Sequence, residues 1–191
     1  MKLLFLDIDG VLNSYSLNKP FLRAISNGII SKGESDGDIT PDSRIHRFLS
    51  IDFSKAELIA DLCEQCGFKI VLSSSWRYSS GLDKTIDSLK EFSGFDILMP
   101  YLVGQTVRIA YMDRDRLNRY KQDTHYGERG AEIQDYLDTH EDVEDYLIID
   151  DDDDMLSSQM EHFCNTDHWD GFTHRDYMNL LKKYSDYDYE Y

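Results

Sequence analysis

The stretch MKLLFLDIDGVLNS, residues 1–14, sets a problem in physical chemistry. Leu3 to Leu6 form an unbroken apolar run, the pattern of a short strand covered on both faces. The run ends in Asp7-Ile8-Asp9-Gly10. Burying even a neutral polar group without a partner costs roughly 2–7 kcal/mol, and a carboxylate costs more. Two carboxylates at the mouth of a buried strand therefore need something to hold them there. Gly10 allows the chain to leave the strand through a turn that a Cβ would obstruct.

Working outward, three more segments share this apolar character: FKIVLS (68–73), DILMP (96–100) and DYLIID (145–150), with HFCNT (162–166) as a weaker fifth strand. Helical spacing of apolar residues fills 54–66, closed by Gly67, and recurs over 130–141 and 174–184. Strands alternating with helices predict an α/β, Rossmann-like three-layer fold around a central parallel sheet. Residues 14–52 lack comparable periodicity, include Gly28, Gly33, Gly37 and Pro41, and are expected to form a small inserted flap or cap. Residues 101–128 read as a second irregular stretch and carry the one basic cluster, Arg108, Arg114, Arg116, Arg119 and Lys121. Residues 1–191 are expected to make one domain with a frayed acidic tail over 185–191.

Composition narrows the partners. With 20 Lys and Arg against 37 Asp and Glu, the formal charge is −17, so the overall field repels polyanions and disfavours non-specific coating of nucleic acid. A small phosphorylated molecule or a nucleic-acid end remains compatible with that field. Three cysteines, Cys63, Cys66 and Cys164, are too few and too uneven for a disulfide framework. No apolar run approaches the roughly 20 residues that span a bilayer, and no cleavable leader pattern opens the chain, so a reducing cytoplasm and no membrane are expected.

In open parallel sheets, ligands bind beyond the carboxyl ends of the strands. The first strand ends in Asp7-x-Asp9-Gly10, the second in Ser73-Ser74-Ser75-Trp76-Arg77, and the 145–150 strand in Asp150-Asp151. Carboxylates converging from two strands repel unless a cation sits among them, and all-oxygen ligation selects a hard ion such as Mg²⁺. The hydroxyl of Ser73 and the cation Arg129, just ahead of the 130–141 helix, complete an inventory suited to phosphoryl transfer.

Four stretches in this order, FLDIDGVLN (5–13), IVLSSSWR (70–77), ERGAEIQDYL (128–137) and YLIIDDDDDM (146–155), resemble the motifs of the haloacid dehalogenase (HAD) superfamily. The Ser-Ser-Trp-Arg ending and the Ile-Ile-Asp-Asp strand are most similar to the HAD domains of Swiss Army Knife RNA-repair proteins. The resemblance implies a HAD-like fold with a minimal or small cap and a Mg²⁺-dependent phosphomonoesterase that works through an aspartyl-phosphate. It makes Asp7 the nucleophile, Asp9 the acid and then the base, Ser73 the holder of a phosphoryl oxygen, and Arg129 the cation where the family usually has lysine. Asp7, Asp9 (through its backbone carbonyl), Asp150 and Asp151 would bind the metal. Ser74, Arg77 and Gly10 are the candidate substrate-binding residues. Nucleotide or polynucleotide-end phosphates are the implied substrates, with an RNA-repair ligase or kinase as partner. The alternatives are a phosphatase of small metabolites or mononucleotides, and a HAD-fold metal-binding or regulatory module that turns nothing over.

Competing motifs fit less well. Asp150, Asp152, Asp154 and Glu161 match calcium-loop positions, but Met155 stands where that loop needs glycine, and Asp152 to Asp154 read as solvated. Cys63 and Cys66 suit core packing, because no second cysteine pair accompanies them. His162, Cys164, His168 and His174 match no compact zinc spacing, and serines 73–75 lack the G-x-S-x-G elbow. Trp76 and Arg77 either frame a substrate or pack their loop.

Overall fold

The computed structural model describes residues 1–26, 51–92 and 94–185. Five strands, β1 (Lys2–Leu6), β2 (Phe68–Leu72), β3 (Leu102–Gln105), β4 (Asp145–Asp150) and β5 (Phe163–Asn165), form one sheet in the order β3-β2-β1-β4-β5. Every pairing is parallel, so the chain returns to the same edge between strands. The helices are α1 (Tyr15–Ser26), α2 (Phe53–Cys66), α3 (Leu82–Leu89), α4 (Arg114–Tyr120), α5 (Glu128–Thr139) and α6 (His174–Tyr184).

The apolar run of β1 is continuous because both of its faces are covered. Leu4 and Leu6 join a core with Ile59 and Leu62 of α2 and Leu180 and Leu181 of α6. Leu3 and Phe5 point the other way, into a smaller core with Val71, Ile148 and Ile133 of α5. The same parity divides β2, where Ile70 and Leu72 join the larger core, and β4, where Leu147 and Ile149 do.

The helix limits follow local chemistry. Asp52 caps α2 by accepting from the Ser54 N–H at 3.0 Å, and Gly67 ends it with φ 73°, as its position in the sequence predicts. Thr173 and Asp176 form a capping box on α6. Cys63 and Cys66 are both buried in the larger core.

Two expectations need correction. The segment 96–100 is not a strand: Asp96–Tyr101 forms a 3-10 turn with Pro100 inside it, and the third strand is the next segment, Leu102–Gln105. Proline has no N–H to give a sheet ladder, and a short apolar run does not by itself separate a strand from a turn packed on the core. The stretch 101–128 is also more regular than its sequence suggests, since it holds β3 and α4. Of the expected flap at 14–52, Tyr15–Ser26 is helical and 27–50 lie outside the described residues, as do 186–191 of the expected tail.

Candidate active site

The sheet register assembles the site. Leu6 pairs with Leu72 on one side and with Ile149 on the other, so Asp7, Ser73 and Asp150 follow side by side at the carboxyl edge. Backbone bonds carry the ladder one step past the strands, from Asp7 N–H to the Ile149 carbonyl and from Ser73 N–H to the Leu6 carbonyl, each 3.0 Å. Continuing the strand parity, these three residues belong to the face on which α5 packs, and Arg129 lies in the first turn of that helix.

Arg129 reaches back over this edge. Its Nε lies 3.2 Å from Asp150 Oδ2, one terminal nitrogen lies 3.6 Å from Asp7 Oδ1, and the other lies 3.6 Å from Glu132 Oε2. Its own backbone N–H is held at 3.0 Å by the Asp154 carboxylate. Asp154 is therefore not simply solvated; it fastens the start of α5 to the loop after β4. Gly127 permits that approach, because a Cβ there would fall 1.7 Å from the Asp154 carbonyl oxygen.

Ligand atoms from Asp7, Asp150 and Asp151 lie within 4.8 Å of one another, and these three are the group of potential metal ligands found among the described residues. Asp7 Oδ1 and Ser73 Oγ are buried and make no hydrogen bond among those residues. Burial and crowding show in the pKa values. Burial, then Asp150, pushes the Asp7 carboxyl well above the ordinary range, against the opposing pull of Arg129. Burial also pushes Asp150 up to about 7, and burial together with Asp152 pushes Asp151 up to about 6. An all-oxygen set of this kind fits a hard divalent cation, whose charge would favour the ionised carboxylates that burial and mutual repulsion disfavour.

Asp9 sits apart from that trio. Its Oδ1 accepts from Asn13 Nδ2 at 2.7 Å and its Oδ2 from Ser75 Oγ at 3.2 Å, so its carboxylate is aimed by both flanking loops. Gly10 is required twice over. Its φ is 67°, and a Cβ would stand 2.1 Å from the Asp151 carboxyl carbon.

The remaining expected residues divide. Ser74 is buried beneath the site, where its hydroxyl contributes a lowering influence on Asp7. Arg77 is 3% exposed, and its guanidinium is engaged by the Glu132 carboxylate, so the structure places it under the site rather than on its surface. Burial lowers its pKa to about 10, with Glu132 opposing. Arg108 donates to the Ser75 and Arg77 carbonyls at 2.8 and 2.9 Å and pins the loop that carries Ser75. Arg116 pairs with Asp135 at 2.8 Å.

Glu132 was not legible as a site residue. It is 6% exposed and binds Arg77, Arg129 and the Ile109 N–H together, which joins the loop after β2 to the start of α5. Its spacing three residues after Arg129 on a buried helix face was the available signal.

A parallel α/β sheet with Asp-x-Asp after its first strand, a hydroxyl after its second and paired carboxylates after its fourth defines a HAD-type hydrolase domain. The family model for the HAD domain in Swiss Army Knife RNA repair proteins matches residues 3–177, and the chain belongs to that family. No curated protein and no solved structure gives a significant match.

Proposed function

We propose that the chain is a Mg²⁺-dependent phosphomonoesterase that acts through an aspartyl-phosphate on Asp7, with nucleotide or polynucleotide-end phosphates as substrates. The observation that carries this is the meeting of Asp7, Asp150 and Asp151 within 4.8 Å while Asp9 is held separately by Asn13 and Ser75. One carboxylate is thereby set among metal ligands and the other is held outside that trio, which is the division that nucleophile and proton carrier require.

Asp7, Asp150, Asp151 and the Asp9 carbonyl would hold the cation, which would keep the carboxylates ionised and offset charge on the phosphoryl oxygens. An Asp7 oxygen attacks phosphorus, and the bond from phosphorus to the leaving oxygen breaks as the Asp9 carboxyl supplies that oxygen with a proton. Asp9, now a carboxylate, takes a proton from water as the water attacks the acyl phosphate, which returns Asp7 and releases phosphate. Ser73 Oγ is available to a phosphoryl oxygen, since it is buried at this edge without a hydrogen bond among the described residues. Burial works against the charge of Arg129, but Asp7, Asp150, Glu132 and Asp154 outweigh it and raise its pKa, so the residue stays cationic beside the transferred group. A ligase or kinase acting on the same ends is the partner this reading implies.

The test is hydrolysis of a phosphomonoester panel with and without Mg²⁺. The proposal expects metal-dependent phosphate release that Asp7→Asn abolishes. Turnover surviving that substitution refutes Asp7 as nucleophile, and no turnover on any substrate favours the silent metal-binding module.

A further inference from the structure

An aromatic pair lies on the β5 side of this edge and takes no part in the chemistry above. Trp169 is 41% exposed and Tyr15 is 38% exposed, although each ring could bury a large apolar area. Their centroids are 4.8 Å apart with the planes tilted by 36°, and Lys19 Nζ stands 4.5 Å from the Trp169 ring centre. These three side chains put two π faces and a cation together on the surface of a strongly acidic protein.

The pair is fastened to the loop that carries the site. Tyr15 and Ser16 N–H donate to the His168 and Trp169 carbonyls at 2.9 and 3.0 Å. The Phe172 N–H donates to the Val11 carbonyl at 2.9 Å, and Thr166 Oγ1 donates to the Gly10 carbonyl at 3.0 Å. Asn165 Nδ2 donates to the Asp151 carbonyl at 3.2 Å. The turn that bears Trp169 is thus tied at both ends to Gly10, Val11 and Asp151.

We infer that Tyr15, Trp169 and Lys19 form a stacking site for the nucleobase adjoining the phosphate that is removed, an inference that rests on the phosphomonoesterase reading. Every base offers a π face, so such a platform accepts a nucleic-acid end without selecting its sequence, and the lysine meets the neighbouring phosphate or the base face. A negative net charge of 17 suits a short end held locally rather than a long duplex tracked along its backbone.

The test compares adenosine 3′- and 5′-monophosphates and short 3′- and 5′-phosphorylated RNA oligonucleotides with glycerol phosphate, which has no base. In Trp169→Ala and in Tyr15→Ala the ratio of KM for nucleotide to KM for glycerol phosphate should rise roughly tenfold or more, the usual scale for one lost stack. Trp169→Phe should restore most of it. A second readout needs no turnover. The other tryptophan, Trp76, is buried, so nucleotide should quench the emission of Trp169 in the Asp7→Asn protein while glycerol phosphate does not. An unchanged ratio in both alanine variants, or no quenching by any nucleotide, overturns the inference. Quenching without hydrolysis of any substrate overturns the phosphomonoesterase reading instead and supports the platform.

Discussion

Replacing Glu132 by Gln tests how the site is held. The buried carboxylate faces Arg77 and Arg129 and accepts the Ile109 N–H at 2.8 Å. Glutamine keeps the size and one acceptor but removes the charge. Arg129 still has Asp7 and Asp150 beside it, whereas Arg77 is left with the Ser74 carbonyl and two neighbouring cations, Arg129 and Arg108. Removing one partner of a buried ion pair costs about 3–5 kcal/mol, a large part of the 5–15 kcal/mol that holds a domain folded. For a chain of this length, each kcal/mol moves Tm by about 2–4 °C, so Glu132→Gln should lower Tm by roughly 6–20 °C. Thermal unfolding followed by circular dichroism measures this directly. Arg77→Met combined with Glu132→Leu should recover much of the loss, because an apolar pair of similar volume leaves no charge stranded. A Tm within about 2 °C of the parent for Glu132→Gln would show that the two arginines do not depend on this carboxylate.

Other outcomes follow from the same geometry. Asp150 and Asp151 have pKa values raised to about 7 and about 6, so between the ordinary carboxylate pKa and pH 7 the folded chain binds more protons than the unfolded one. Metal-free stability from these groups therefore falls as pH rises through that window, and Mg²⁺ should raise Tm more at pH 8 than at pH 5, an increment that Asp150→Asn removes. Equal Mg²⁺ increments at the two pH values would contradict the metal assignment. Gly10→Ala adds a Cβ against the Asp151 carboxyl at a positive φ; it should cost about 1–2 kcal/mol by urea unfolding and weaken Mg²⁺ binding by calorimetry. Arg129→Met leaves Asp7 and Asp150 without their shared cation and should lower phosphatase kcat by at least about tenfold, whereas Arg129→Lys should retain part of it, as steady-state kinetics would show.

Much of the site could be read from the chain because its parts lie at strand ends. Asp7, Ser73 and Asp150 each close an apolar run, and parallel strands bring such ends to one edge whatever lies between them. Arg129 was legible as a cation at the start of a helix, although that helix begins at Glu128, before it rather than after it. Arg77 was ambiguous, since a surface clamp and a buried strut have the same local sequence; the Glu132 carboxylate that decides between them comes from 55 residues further on. The error at 96–100 has a related cause, because Asp-Ile-Leu-Met has the composition of a strand, while Pro100 and packing on the core suit a turn.

Composition and periodicity therefore determined the parallel sheet, the edge where the candidate site lies and the acids that stand there, since an apolar run buried on both faces leaves few other folds. Tertiary structure alone decided which charges meet. The pairing of Glu132 with Arg77, the grip of Asp154 on α5 and the placing of Trp169 beside Tyr15 join residues far apart in sequence. Electrostatic and stacking energies depend on separations of a few ångströms through space, a quantity that order along the chain does not contain.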